Sequence, residues 1–242
     1  MSSGELVDES GQRTRERILF EAADLFARQG YHGTSTRAIA DAVGVRQPSL
    51  FHHFPSKRAI AEALLDWDLG RALPRVRAIC RAPGEASVRL YRYLCSDTQH
   101  LTTAPYNLTG VYAEEVIEQP EFARWSALRE ELHDEVEGVV RDGVRTGEFV
   151  AVDTHFVREA IAGILVRALT IHSGGRGSSD QLAAEVARLV IRGLLTDPSR
   201  LDEIGRAAAA DGAREVPALG SADIEIVADT SQATPTADGA HP

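Results

Sequence analysis

The 242-residue sequence is poor in several residue types, and each scarcity excludes a class of protein. Its two cysteines, Cys80 and Cys95, are too few for a disulfide framework, and because both lie among apolar residues we expect buried thiols rather than a bridge or metal ligands. No apolar run approaches the roughly 18 to 20 residues that a membrane-spanning helix needs. The N-terminal residues are polar and acidic, unlike a secretory signal. We therefore expect a cytoplasmic protein with no membrane partner.

The sequence also lacks the short motifs of common catalytic and cofactor sites. It contains no HExxH or CxxC, no nucleophile elbow and no phosphate-binding loop, since the HSGGRG segment has neither the lysine nor a preceding strand. His52 and His53 are adjacent, so on a helix they point about 100° apart and do not form a metal pair. Four more histidines fall in four separate segments, at His100, His133, His155 and His172. No enzyme activity, cofactor or metal is predicted.

The apolar residues of the sequence are spaced mainly with the periodicity of α-helices. Apolar residues recur every three or four positions over the ranges 13–29, 56–81, 85–101, 106–117, 120–147, 153–173 and 180–196. Beyond residue 206 the large aliphatic side chains nearly vanish and acids outnumber bases. The sequence therefore predicts an all-α fold followed by a disordered acidic tail over residues 206–242.

Residues 30 to 57, GYHGTSTRAIADAVGVRQPSLFHHFPSK, have the spacing of two short helices around a tight turn. On the first helix, Ser35 or Thr34 can cap the free amides, and Gly44 supplies the positive φ of the C-cap. The buried face of this helix has the i, i+1, i+4 spacing of Ile39, Ala40 and Val43. This is the pattern of a helix-turn-helix, which reads DNA.

The second helix of the pair presents short polar side chains to solvent. Pro48 suits its first turn, and Leu50 and Phe54 point inward with Phe51 beside them. The outer face is left with Gln47, Ser49, His52 and His53. Such side chains donate and accept hydrogen bonds, which suits reading base edges and holding phosphates in a major groove.

Charge is divided unevenly along the chain. The 26 basic and 36 acidic residues give a formal net charge of −10, which by itself argues against nucleic acid. Between Arg13 and Arg58, however, eight basic side chains face four acidic ones, so this module carries +4 and the remainder −14. A cationic module on an anionic body indicates that only the N-terminal part of the chain approaches phosphates.

The single lysine, Lys57, stands beside Arg58 at the start of the next helix, just after the potential cap Ser56. Cations are unfavourable at that end of the helix dipole. A bound phosphate would explain the placement and would use the free amides. The alternative is a solvated surface charge pair.

The segment RERILFEAADLFARQGYHGTSTRAIADAVGVRQPSLFHHFPSKRAIAEALL resembles the TetR family of one-component bacterial regulators. A first helix ending in phenylalanine and glycine is followed by Thr, Ile-Ala, Gly-Val, Leu-aromatic, His-Phe and Lys. The resemblance implies an N-terminal three-helix helix-turn-helix DNA-binding domain and a C-terminal helical ligand-binding and dimerisation domain. We place a flexible arm over residues 1–12, the DNA-binding domain over 13–56 and the helical domain over 57–205.

In the resembling family the groups that touch DNA lie on the two short helices. The resemblance implies that Gln47 reads a base, that Arg37 reaches a base edge or a phosphate, and that Thr34 and Lys57 hold phosphates. Phe51 stands where the family usually has tyrosine, so a hydroxyl that often binds phosphate is missing. The full set predicted to contact DNA is Thr34, Thr36, Arg37, Arg46, Gln47, Pro48, Ser49, Phe51, His52, His53 and Lys57.

The same resemblance implies a small molecule held between the long helices of the body. Its binding would shift the linking helix so that two recognition helices no longer fit their half-sites. Aromatic and amphipathic residues are the candidates for this pocket, with ordinary packing as the alternative for each. They are Trp67, Tyr91, His100, Tyr106, Asn107, Tyr112, Glu114, Phe122 and Trp125.

The helices predicted over 153–173 and 180–196 are apolar on more than one side. They form either the centre of the body or a seam between two protomers. A single short recognition helix contacts few bases, whereas two related by symmetry read a palindrome, which favours the seam. The predicted interface residues are Phe156, Ile161, Ile164, Leu165, Leu182, Val186, Leu189 and Val190.

Together these observations predict a homodimeric, DNA-binding transcriptional regulator. The form that we favour is a repressor, released from a palindromic operator on double-stranded DNA by an unidentified small molecule. An activator remains open, as does a DNA-bound interaction protein whose helical body binds a protein partner.

Overall fold

The computed structural model describes residues 3–212 except 174 and 176. Within these residues the chain forms ten α-helices, and the predicted all-α fold is confirmed. The helices are α1 Ser3–Gln29, α2 Thr36–Val43, α3 Gln47–His53, α4 Lys57–Cys80, α5 Ala86–Thr103, α6 Glu114–Ile117, α7 Ala123–Thr146, α8 Thr154–Ser173, α9 Ser179–Leu194 and α10 Leu201–Gly212. None of these helices is long and apolar enough to span a membrane.

Both ends of the described chain differ from the predicted boundaries. α1 begins at Ser3, so residues 3–12, predicted to be a flexible arm, continue the first helix. α10 runs to Gly212, so the first residues of the predicted tail are helical too. The four alanines at 207–210 have the highest helix propensity of any residue type, which favours this extension. The predicted tail beyond residue 212 lies outside the described residues.

The helix-turn-helix predicted from residue spacing is present as α2 and α3. Ser35 is the N-cap of α2, where its Oγ accepts a hydrogen bond from the amide of Ala38 at 3.0 Å. Gly44 ends α2 with φ 76°, in the left-handed region that favours glycine. One apolar core holds this module together, with contributions from Ile18, Phe26, Ile39, Leu50 and Ile60.

α4 joins the module to the body as one helix. Gly70 and Pro74 both lie inside this helix. Ile60, near its start, is buried in the core of the module, and Val76, near its end, is buried in the core of the body. α4 is therefore a single element shared by both cores.

The body packs α5 against α8, α9 and α10, and α4 against α7. The loop between α7 and α8 packs on the start of α5. Its Glu148 carboxylate accepts hydrogen bonds from the amides of Ala86 at 3.1 Å and Ser87 at 2.9 Å, and so caps α5. Phe149 forms an isolated β-bridge with Leu195 after α9. The segments predicted as single helices over 106–117 and 120–147 each contain a separate 3-10 turn, at 108–110 and 120–122.

Candidate DNA-reading surface and ligand cavity

The outer face of α3 is an exposed and mainly polar surface. Leu50 and Phe54 are buried in the module core, as the spacing predicts. Phe51 does not join them, since 43% of its surface is exposed. The exposed residues of α3 are Gln47, Pro48, Ser49, Phe51 and His52.

Gln47 lies where α2 and α3 meet. Its Nε2 donates a hydrogen bond to Thr36 Oγ1 at 3.1 Å, which joins the first turns of the two helices. Arg37 and Arg46 are exposed, and Arg37 pairs only loosely with Asp41, at 3.9 Å. This edge of the module therefore combines hydrogen-bonding side chains with two cations, the combination needed to read bases while holding phosphates.

His53, also predicted to contact DNA, is half-buried at the end of α3. Burial lowers the pKa of its imidazole, and the neighbouring His52 and Arg15 lower it further. Because an unperturbed histidine has a pKa of about 6.5, His53 is neutral at pH 7. It can offer DNA a hydrogen bond but not a positive charge.

Lys57 and Thr34, both expected to hold phosphates, use their polar groups inside the protein. Lys57 Nζ donates to the carbonyl oxygens of Tyr31 at 2.6 Å and Thr34 at 2.9 Å, and it lies 4.3 Å from the centroid of the Tyr31 ring. Burial lowers the pKa of this ammonium. Thr34 is buried, and its hydroxyl donates to the Gly30 carbonyl at 2.9 Å. Both residues therefore fix the turn between α1 and α2 onto α4, and their contact with phosphates stays a prediction.

We expect Lys57→Met to lower the free energy of unfolding by about 2 kcal/mol, because two hydrogen bonds from a charged donor are lost. Urea denaturation measures this change. The slope of log K against log salt for DNA binding should change by less than about half a unit, since the ammonium does not neutralise a phosphate.

The control for Lys57 is Arg46→Ala, which removes an exposed cation next to α3. This variant should keep the parent stability and flatten the salt slope by about one unit. If Lys57→Met flattens the salt slope equally, the Lys57 ammonium of the parent protein leaves the turn and binds a phosphate in the complex.

Gln47→Ala should weaken DNA binding by about 1 to 3 kcal/mol and relax the base preference at one position of each half-site. The measurement is a titration of operators in which each base pair is changed in turn. Gln181→Ala, which removes an exposed glutamine on α9, is the matched control and should bind like the parent. An equal loss on every operator, with the base preference intact, would exclude a base contact for Gln47.

A cavity of about 490 Å³ lies between α4, α5, α7 and α8. A volume of this size accommodates a small organic molecule. Of the nine residues predicted to line a ligand pocket, only Tyr112 and Glu114 line this cavity. Its apolar wall includes Leu69, Ala72, Leu101, Leu132 and Leu165.

Three of the other candidates have packing roles away from the cavity. The Phe122 ring packs edge to face on Tyr31 with centroids 5.8 Å apart, inside the core of the DNA-binding module. Trp125 belongs to the same core, and its Nε1 donates to Asp66 at 2.9 Å. Tyr91 lies in a different depression, against α10. None of these three residues lines the cavity between α4, α5, α7 and α8.

The remaining four candidates do not line the cavity, and one of them, His100, contacts Asp68. His100 Nε2 donates a hydrogen bond to the Asp68 carboxylate at 2.7 Å. The Trp67 ring stacks on the His100 ring at 5.6 Å and meets the Tyr106 ring edge to face at 5.3 Å. The fourth, Asn107, accepts a hydrogen bond from the Thr109 hydroxyl. Among these four, His100 can affect a ligand in the cavity through its hydrogen bond to Asp68.

Sequence reasoning missed eight polar residues that line the cavity, and among them are Asp68, Tyr93, Asp97 and His133. Burial raises the pKa of the Asp97 carboxyl, an effect that Arg75 opposes from 2.5 Å. Burial lowers the pKa of the His133 imidazole. The available signal was the position of Asp68 and Asp97, each an acid within the apolar face of a helix.

The eight residues predicted to form a dimer seam differ in how deeply the protomer buries them. Phe156 and Leu189 are exposed, at 70% and 67%, whereas Ile164 and Val190 are partly buried against the body core. The other four point into the core of their own protomer, which corrects their assignment: Ile161, Leu165, Leu182 and Val186.

Comparison with known proteins assigns both parts of the chain to the same family. Residues 18–64 match the family model for bacterial regulatory proteins of the tetR family, and residues 84–194 match the tetracyclin repressor-like C-terminal domain. The transcriptional repressor KstR2 of Rhodococcus jostii is 31% identical over 193 residues, which are 76% of this chain and 92% of that protein.

Solved structures agree with this assignment. AmtR of Mycobacterium smegmatis is 28% identical, with a TM-score of 0.66 over 81% of this chain and 92% of that one. AibR, solved in complex with isovaleryl coenzyme A and operator DNA, shares the fold at 21% identity, with a TM-score of 0.59 over 72% of this chain and 97% of that one. The chain therefore belongs to the TetR family of bacterial transcriptional regulators, which are DNA-binding proteins rather than enzymes.

Proposed function

We propose that the protein is a cytoplasmic, homodimeric repressor that binds a palindromic operator and releases it when a small molecule enters the cavity. The observation that carries this proposal is that one helix, α4, serves both sites. Its first residue, Lys57, holds the turn before α2, and Asp68, about three helical turns further on, lines the cavity. A ligand that displaces Asp68 acts on the element that supports α3.

The geometry of DNA recognition supports the homodimer. α3 has seven residues, and a helix of this length contacts too few bases for strong specificity, whereas two copies related by a twofold axis read both halves of a palindrome. Phe156 on α8 and Leu189 on α9 offer exposed apolar side chains to a second copy. AibR, captured with a thioester and operator DNA, supports ligand-linked DNA binding as a use of this fold.

The test is selection of genomic fragments by the purified protein, followed by release with fractionated cell extracts. We expect the selected fragments to share an inverted repeat and at least one fraction to release them. Fragments without an inverted repeat would contradict binding as a homodimer. An operator that no fraction releases would contradict regulation by a small molecule. A reporter gene placed behind the selected fragment separates a repressor from an activator. Deletion of a repressor raises expression of the reporter, whereas deletion of an activator lowers it.

A further inference from the structure

The lining of the cavity is strongly acidic. Its six carboxylates face a single arginine, Arg129, and a single histidine, His133. Burial lowers the pKa of His133, so this imidazole is neutral at pH 7 and adds no positive charge. The carboxylates are those of Asp68, Asp97, Glu114, Glu118, Glu130 and Glu159.

Arginine partners account for only half of these carboxylates. Asp97 pairs with Arg75 at 2.5 Å. Arg158 pairs with Glu130 at 2.8 Å and with Glu159 at 3.0 Å. Within residues 3–212, as far as these are described, no lysine or arginine pairs with Asp68, Glu114 or Glu118.

Asp68 is the deepest of these three acids, with 3% of its surface exposed. It accepts hydrogen bonds from His100 Nε2 at 2.7 Å and from the Tyr112 hydroxyl. No permanently charged side chain offsets the desolvation of this buried carboxylate, because its ion-pair partner His100 is charged only when protonated. A cation in the cavity would supply that charge.

Tyr93 provides an independent indication of a ligand. Its side chain lines the cavity and only 3% of its surface is exposed, yet its hydroxyl has no hydrogen-bond partner among the residues that the structure describes. Buried hydroxyls are nearly always paired. The cavity therefore contains an unused hydrogen-bonding group in addition to a carboxylate that no lysine or arginine neutralises.

We propose that the effector is an amphipathic organic cation, a protonated amine whose ammonium contacts Asp68 and whose apolar body lies against Leu69, Ala72, Leu132 and Leu165. Glu114 and Glu118 attract the cation to the entrance, and the Tyr93 hydroxyl bonds to a second polar atom of the ligand. The inference rests on the proposed role of the cavity as the effector site. It also distinguishes this chain from AibR, because the phosphates of a coenzyme A thioester would be repelled by the acidic lining.

Calorimetric titration of the full chain with matched compounds tests the inference. Three carbon skeletons, decyl, cyclohexylpropyl and naphthylmethyl, are each used as amine, alcohol and carboxylate, with hexanoyl coenzyme A as a thioester. We expect at least one amine to bind about tenfold or more tightly than its alcohol and its carboxylate, because the charge-assisted contact is available to the amine alone. Carboxylates or the thioester binding more tightly than every amine would overturn the inference, as would failure of all three amines to bind.

Variants locate the contact. Asp68→Asn keeps the size of the side chain and removes its charge, and it should abolish the preference for the amine over the alcohol. Asp66→Asn is the matched control, since Asp66 lies on the same helix but outside the cavity and should leave the preference unchanged. If Asp68→Asn does not fold, the double variant Glu114→Gln, Glu118→Gln alters exposed residues and should weaken amine binding by about two- to fivefold. An unchanged preference in Asp68→Asn, or unchanged amine binding in the double variant, would contradict the proposed contacts.

Operator release by the same compounds separates this inference from the proposed function. If carboxylates or the thioester release the operator and amines do not bind, the ligand-responsive regulator stands and the cationic effector is excluded. If amines bind through Asp68 without releasing the operator, the cation site stands and the coupling to DNA is excluded.

Discussion

Leu189→Glu is expected to separate the proposed homodimer into monomers and to weaken operator binding by about 100-fold or more, because two linked recognition helices lose their avidity. Leu189 and Phe156 are exposed apolar side chains on α9 and α8, so neither is needed for the core of the protomer. In a twofold interface the substitution occurs on both sides of the seam. Each buried, unpaired carboxylate costs several kcal/mol, so association fails while the protomer stays folded.

Sedimentation velocity over a range of concentrations measures the association, and gel shifts with the selected operator measure the binding. Val150→Glu is the matched control, because Val150 is another exposed aliphatic residue but precedes α8. It should remain dimeric and bind like the parent. A Leu189→Glu protein that stays dimeric would place the seam on another surface.

Gly110→Ala should lower the free energy of unfolding by about 3 kcal/mol, at the upper end of the usual cost of overpacking. A Cβ at Gly110 would lie 2.3 Å from the Phe26 carbonyl carbon and 2.6 Å from the Ala27 nitrogen. Both atoms belong to the backbone of α1, so the clash cannot be relieved by turning a side chain. The 3-10 turn at 108–110 and α1 must move apart, which loosens the DNA-binding module from the body.

Urea denaturation measures this loss, with Gly138→Ala as the control. Gly138 lies inside α7, and nothing lies within 4 Å of the position that a Cβ would occupy. Alanine there should stabilise the protein by about 0.5 to 1 kcal/mol, since glycine is the poorer helix former. Surface substitutions usually change the free energy of unfolding by less than about 0.5 kcal/mol. If the free energy of unfolding of Gly110→Ala lies within about that value of the parent's, the close approach of the turn to α1 is not maintained in solution.

Local signals were sufficient for the helix-turn-helix. The Ser35 cap, the left-handed Gly44 and the inward spacing of Ile39 and Val43 act between residues less than ten positions apart, and each is present as predicted. The cap of α5 depends instead on a distant segment. Glu85 makes no capping bond at the start of α5, and Glu148, from the loop between α7 and α8, caps the helix.

In the candidate sites, too, some features follow from the local sequence and others depend on tertiary contacts. Exposure of Gln47 and Ser49 follows from the periodicity of a single helix, so their place on the outer face of α3 could be predicted. Whether the Lys57 ammonium points to solvent or to the Tyr31 carbonyl depends on how α4 meets the turn before α2. Aromatic character did not distinguish pocket residues from core residues, since Phe122 and Trp125 are buried in the core of the DNA-binding module.

By itself, the sequence determined the all-α class, the DNA-reading helix pair and the division of charge between module and body, because these depend on local periodicity and on composition. Only the tertiary structure decided which polar side chains surround the cavity and which apolar side chains remain free for a partner. Ile161 and Leu189 both lie on apolar helices, yet one is buried and the other exposed. The distinction depends on how α5, α8 and α9 are rotated against one another, and that rotation is fixed by contacts between residues far apart in the chain.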